Sequence, residues 1–334
     1  MSDSGGSAYR APWWLPGGHL QTLYAALIGS RRIQWTRERW DTHDGDFIDV
    51  DRLHGEADAP LVVLFHGLEG NSGSHYAAAL AQELRRLGWR GAVPHFRGCS
   101  GELNRLPRAY HSGDAAEIGW ILRRFRDENG DAPLFAAGVS LGGNALLKWL
   151  GEDKEAKIVL AAAAAVSAPV DLMAAGETLG RGFNLVYTRA FLATMKRKSA
   201  QKLERFPGLF DADSLRRVRT LREFDELVTA PLHGYRDTDD YWTRASSLSA
   251  LAGIEVPTLL INALNDPFLP GEALPKRDKV SAAVHREFPA NGGHAGFVSG
   301  PFPGNLCWLP RRLTGFFRDA MAVSELDRDR TPMR

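Results

Sequence analysis

Sulfur is scarce in this chain, with two cysteines, Cys99 and Cys307, and five methionines among 334 residues. Two distant cysteines give no paired spacing for zinc, no redox dithiol and no disulfide framework, and they fit a reducing cytoplasm. Net charge is almost absent as well, because 41 Lys and Arg residues meet 40 Asp and Glu residues. That balance removes the positive field that a phosphate backbone would need, so nucleic acid is not expected as a partner. Long apolar runs are missing too. The longest, Ile158 to Val166, is about half of the ~20 residues that cross a bilayer, so no transmembrane span is expected. The opening stretch MSDSGGSAYRAPWWLPGG has an acid near its start and no apolar run of secretory length, which predicts no export.

Hydrophobic residues make up 44% and charged residues 24%, enough apolar material for a sizeable core. Residues 1 to 30 are rich in Gly, Pro and Trp, then apolar from Leu20 to Ile28, and read as an arm that covers an edge. Alternation in Ile33–Trp40 and Phe47–Leu53 around Asp44-Gly45 predicts a hairpin. A repeated grammar of apolar strand, glycine turn and helix follows. Strands are expected at Leu61–Phe65, Gly91–Pro94, Leu134–Val139 and Lys157–Val166, with helices at Ser74–Leu87, Ser112–Arg126 and Leu141–Leu150. This is the pattern of a mostly parallel sheet flanked by helices. Residues 170–247 break it with helical stretches and a basic run, Lys196 to Lys202; the stretch Met195 to Arg205 around it reads as a solvated helix face, with attraction of an anionic head group as the alternative. Strands resume at Pro257–Ala263 and Ala283–Phe288, and a helix closes the chain at Trp308–Met321. The expected organisation is an α/β core of residues 1–169 and 248–334, interrupted by a helical lid at 170–247.

Chemistry concentrates at Gly138-Val139-Ser140-Leu141-Gly142, a GxSxG pattern between a predicted strand and a predicted helix. In that context it forms a nucleophile elbow, since small residues on both sides let Ser140 take a sharp turn. The helix that starts at Leu141 aims free amides and its positive end at the same place. A serine hydroxyl needs a base and an orienting acid, which in this fold follow in the order Ser, acid, His. Asp266, in Asn265-Asp266-Pro267, follows one predicted strand. His294, in Gly292-Gly293-His294-Ala295-Gly296, follows the next. Of ten histidines it alone lies between the last strand and the last helix, whereas His285 falls inside the strand. Leu141 supplies one oxyanion amide. Leu68, in His66-Gly67-Leu68-Glu69-Gly70, supplies the second, with His66 bracing that loop. Cys99 reads as a packed loop thiol, and Asp237, Asp239 and Asp240 as helix-capping acids rather than a calcium site. Neither a phosphate loop nor a dinucleotide fingerprint is present, so no cofactor and no metal are expected. Phe183, Tyr187, Phe191 and Phe224 either line an acyl pocket or pack the insertion on the core.

Seven ordered segments carry a family resemblance: PGGHLQT at 16–22, HGLEG at 66–70, FRGCSG at 96–101, YHSG at 110–113, GVSLGGN at 138–144, NDPF at 265–268 and GGHAGF at 292–297. Over nearly its whole length the chain resembles the YheT-like esterases of bacteria, similar to the ABHD1, ABHD2 and ABHD3 type hydrolases of animals, a branch of the α/β hydrolases. The resemblance implies a triad at Ser140, Asp266 and His294, action on carboxylic esters with lipid-like acyl groups, and a helical lid. The same fold and triad elsewhere cleave thioesters, amides or carbon-carbon bonds. A non-catalytic scaffold of the same shape is the rival from another class. Physiological substrate, acyl length and oligomeric state are not legible.

Overall fold

In a computed structural model of the protein, residues 8–29 and 33–330 are described. After an amino-terminal helix α1 (Gly18–Ile28), the hairpin β1 (Thr36–Asp41) and β2 (Phe47–Leu53) turns at Gly45, whose φ of +83° suits glycine. Then come β3 (Leu61–Phe65), α2 (His75–Leu87), β4 (Arg90–Pro94), α3 (Ala115–Asn129), β5 (Leu134–Val139), α4 (Leu141–Glu152), a single turn α5 (Ala156–Val159) and β6 (Ala162–Val166). Six short or medium helices follow: α6 (Leu172–Leu179), α7 (Leu185–Arg205), α8 (Ala212–Arg217), α9 (Leu221–Phe224), α10 (Ala230–Leu232) and α11 (Thr238–Ala245). The chain returns through β7 (Thr258–Ile261) and β8 (Val284–Glu287) to α12 (Trp308–Arg330).

The eight strands form one sheet in the order β1-β2-β4-β3-β5-β6-β7-β8. β2 pairs antiparallel with both neighbours, and every pair from β4 to β8 is parallel. Continuous apolar strands such as LVVLF (β3) are buried along their whole length, as a sheet covered on both faces requires. Alternation decides which layer each residue joins. Leu61, Val63 and Phe65 pack with Ile118 and Leu122 of α3 and Leu146 of α4. Val62 and Leu64 point the other way, to Ala77, Leu80 and Leu84 of α2 and Phe317 of α12. α2 buries Ala77, Ala78, Leu80, Ala81 and Leu84 at helical spacing and stops at Gly88, whose φ is +69°.

Three expectations need correction. Lys157–Val166 is not one strand, because the α5 turn buries Ala156 and Val159 and leaves Ile158 exposed before β6 begins. Among the described residues of the arm, α1 packs not on a sheet edge but against the loops after β7 and β8, where a Cβ on Gly18 would lie 1.9 Å from the Asn265 carbonyl oxygen. The basic run is not all solvated. Lys202 is buried and its Nζ donates to the carbonyls of Leu106, Pro107 and Arg108, while Lys198 reaches Glu69 at 2.9 Å. Both lysines face the core because residues 170–247 fold down over the carboxyl ends of the strands.

One buried ionic cluster ties the hairpin to the parallel part. Arg97 Nε donates to Glu117 Oε2 at 2.7 Å, and its Nη1 reaches Asp44 at 2.9 Å and Asp46 at 3.0 Å. Arg97→Ala would leave the buried Glu117 with only Arg108, 3.7 Å away, and would take the charge partner from buried Asp46, which keeps Asn104 and backbone amides. Urea unfolding should report a loss of about 3–5 kcal/mol, and a loss below about 1 kcal/mol would mean that solvent already screens this cluster.

Candidate active site

All the site loops leave the carboxyl ends of parallel strands, where open α/β sheets gather their chemistry. β5 runs directly into Ser140, which has φ +54° and ψ −122°, a region that non-glycine residues adopt only under constraint. Three contacts hold it. The Ser140 amide donates to the Val166 carbonyl at 2.9 Å, and the Asn144 amide donates to the Ser140 carbonyl at 3.0 Å. The third is steric. A Cβ on Gly138 would lie 2.5 Å from the Gly142 carbonyl oxygen, and one on Gly142 would lie 2.5 Å from the carbonyl oxygens of both Phe65 and His66. Only glycine lets strand, turn and helix cross this closely.

The loop after β3 passes close to Ser140, since a Cβ on Gly67 would lie 3.1 Å from the Ser140 Cβ. Its amides are taken in order: Gly67 donates to Tyr76 Oη at 2.9 Å, and Glu69 donates to Tyr110 Oη at 2.9 Å. Among the described residues the Leu68 amide donates to no protein group, nor does that of Leu141 at the first position of α4. His66 does brace this loop. Its Nδ1 lies 2.8 Å from the Gly67 carbonyl and its Nε2 accepts from the Phe96 amide at 3.1 Å. Complete burial pushes the ring down to about 3, so it stays neutral, and with Nδ1 and Nε2 both bonded to backbone it has no free lone pair to act as a base.

Asp266 follows β7 in a tight turn, with its own amide donating to Ala263 and its Oδ1 accepting from the Phe268 amide. Its carboxylate is closed to solvent and faces His294, whose Nδ1 lies 3.1 Å and 3.0 Å from the two oxygens. A proton on Nδ1 is the tautomer that this contact assigns, which leaves Nε2 as the basic nitrogen. The ring also stacks on Phe268, centroids 4.0 Å apart. The residue after it is fixed twice: the Ala295 amide donates to Ser167 Oγ at 2.9 Å, and His75 Nε2 donates to the Ala295 carbonyl at 2.9 Å. Sequence reading missed Ser167 and His75, as well as Tyr76 and Tyr110. Of these Ser167 carried a signal as the residue at the end of a strand and Tyr110 as part of the YHSG segment, whereas His75 and Tyr76 carried none.

Ser140, His294, Leu68, Leu141 and Ser167 line one cavity. Its walls are mostly apolar side chains of the insertion, among them Leu179, Phe191, Met195, Phe224 and Val228. Phe183 instead lies exposed against His19, and Tyr187 sits between His19 and Phe268. Asp225 is a buried polar point in that wall, bonded to Trp242 Nε1 and Thr229 Oγ1 and pushed up to about 6 by burial. Cys99 is packed, and burial raises its thiol to about 11, so it is not a ready nucleophile. Asp237 caps α11 by accepting from the Asp240 amide. Among the described residues no three His, Cys, Asp or Glu side chains gather as a metal site, and no helix is long and apolar enough to cross a membrane.

Comparison with known proteins follows the geometry. Residues 60–301 match the family model for the alpha/beta hydrolase fold. "Putative esterase YheT" of Escherichia coli (strain K12) is 40% identical over 302 residues, covering 88% of each chain. "Phospholipase ABHD3" of Mus musculus is 32% identical over 91% of this chain and 76% of its own. Among solved structures, Pyrococcus furiosus esterase Pf2001 superposes with a TM-score of 0.54 at 14% identity, covering 86% of this chain and 91% of that one, a likeness of fold alone.

The backbone strain at Ser140 has a stability consequence. Ser140→Gly should be more stable than Ser140→Ala by about 1 kcal/mol in urea unfolding, because glycine alone adopts this turn freely. An alanine variant as stable as the glycine one would show that the turn holds no strain.

Proposed function

The chain belongs to the YheT/ABHD-type branch of the α/β-hydrolase fold family, an esterase and lipase type of hydrolase, and on that premise we propose that it cleaves carboxylic esters through an acyl-enzyme on Ser140. One observation carries the reading: a strained serine and a carboxylate-paired histidine line the same cavity. In the first half-reaction Ser140 Oγ attacks the ester carbonyl while His294 Nε2 takes its proton. Asp266 holds the ring and stabilises the imidazolium. Negative charge on the carbonyl oxygen falls on the two amides with no protein acceptor, those of Leu68 and Leu141. The carbon-oxygen bond then breaks as His294 returns the proton to the departing alkoxide. In the second half-reaction water attacks the acyl-enzyme, gives its proton to His294 and releases the acid, and Ser140 recovers its proton.

The apolar wall supports a lipid-like acyl group, and residues 170–247 are read as a lid on a core of 1–169 and 248–334. Two unpaired cysteines suit a reducing compartment such as the cytoplasm.

Steady-state assays on an ester series from acetate to decanoate test this. Ser140→Ala should lower kcat by about 10⁴-fold to 10⁶-fold, and a loss of only tenfold would remove Ser140 from the chemistry. A bulky Met195→Trp should cut kcat/KM for the decanoate at least about tenfold more than for the acetate. Equal losses along the series would mean that the acyl chain does not enter this cavity. A thioester or amide turned over faster than every ester would reassign the bond.

A further inference from the structure

Two segments, PGGHLQT at 16–22 and GGHAGF at 292–297, lie some 270 residues apart yet explain each other's composition. A Cβ on Gly293 would lie 2.7 Å from the Gly18 carbonyl oxygen, and one on Gly296 would lie 2.6 Å from that of Gln21. The glycines of the histidine loop are therefore the places where the amino-terminal arm meets it backbone to backbone. Across this contact the four consecutive amides of residues 292–295 each donate to a different side chain. Gly292 donates to Gln21 Oε1 at 2.8 Å, Gly293 to Asn265 Oδ1 at 3.0 Å, His294 to Thr22 Oγ1 at 2.8 Å and Ala295 to Ser167 Oγ at 2.9 Å.

The arm provides two of these four acceptors, and Gln21 does more. Its Oε1 also accepts from Asn265 Nδ2 at 3.0 Å, so one carboxamide oxygen joins the loop of Asp266 to the loop of His294. Gln21 is itself fixed, 1% exposed, with Nε2 donating to the Leu15 carbonyl at 3.0 Å. Thr22 is fixed likewise, its hydroxyl donating to the Gly18 carbonyl at 2.7 Å while accepting from His294. The acid and the base sit on separate strand ends; their loops meet directly where Asn265 bonds to Gly293 and to Asn291 Oδ1 at 3.1 Å, and Gln21 bonds to both sides of that junction. From this we infer that Gln21 and Thr22 are positioning residues, which hold His294 Nδ1 at its distance from Asp266 and make the amino-terminal arm part of the catalytic apparatus. The inference rests on the roles given above to His294 and Asp266.

The mechanism of the effect is electrostatic. When the loops drift apart, the imidazolium loses part of its carboxylate partner and the ring loses its aim at Ser140. Both changes act on the chemical step, whereas substrate binding, which depends on the insertion wall, is spared.

The full-length wild type, Gln21→Ala, Gln21→Glu, Thr22→Val and Thr22→Ser are to be compared on one p-nitrophenyl ester for kcat, KM, the acid limb of the pH profile and melting temperature. Gln21→Ala and Thr22→Val should each lose between about tenfold and 10²-fold in kcat with little change in KM. The acid limb should move to lower pH, since a less stabilised imidazolium releases its proton more readily. Thr22→Ser keeps the acceptor and should stay within about twofold of wild type. Gln21→Glu keeps the oxygen for Gly292 but loses the donor to Leu15, and should fall between wild type and Gln21→Ala. A purely structural role would lower the melting temperature and leave kcat per folded molecule and the acid limb in place, and that outcome overturns the inference. Wild-type activity that survives Ser140→Ala would instead bring down the hydrolase reading, and this inference with it.

Discussion

The rest of the structure depends on the close crossing of three backbones at Gly142. There the first turn of α4 passes the end of β3 at a separation that leaves no room for a single methyl group. This approach bends the chain through Ser140 into a left-handed conformation and points α4 amide-first at the same spot. It also brings the loop after β3 against the serine, and Leu68 and Leu141 line the same cavity. A looser crossing would relax the turn and, on the proposed mechanism, move Ser140 away from the amides that would stabilise the tetrahedral intermediate.

Polar groups around the crossing are satisfied from outside it. Tyr76 and Tyr110 occupy the amides of Gly67 and Glu69, Phe96 occupies one nitrogen of His66, and side chains from the arm, from β6 and from the β7 loop occupy the amides of the histidine loop. Such a shell fixes geometry before substrate arrives, which is what a preorganised site requires. The insertion adds its own restraint through the Lys198–Glu69 ion pair and the hydrogen bonds of Lys202 to the carbonyls of 106–108, so the apolar wall is joined to the loops beneath it by polar contacts as well as by packing.

Much of this was legible in the sequence for a local reason. Apolar strands followed by glycine turns and amphipathic helices announce a parallel sheet, and GxSxG between strand and helix announces its elbow. Asp266 and His294 could be proposed because strand ends are where such residues must stand, and the structure brings the pair to 3.0 Å. What could not be read was non-local. Gln21 and Thr22 lie in an apolar arm with no motif chemistry of their own, and their role appears only when residue 21 meets residue 292. Lys198 and Lys202 looked solvated because helical periodicity does not say which face a core will cover. Lys157 to Ala161 looked like strand because apolar content alone cannot separate a strand from one buried helical turn.

The central claim is that Ser140 is an activated nucleophile. Treating the folded full-length protein with a fluorophosphonate and mapping the adduct by peptide mass spectrometry tests it most directly. A single modified site at Ser140, absent when His294 is replaced by Ala, is the predicted result. Modification elsewhere, or an unreactive Ser140 in a protein that binds and turns over esters, would contradict it.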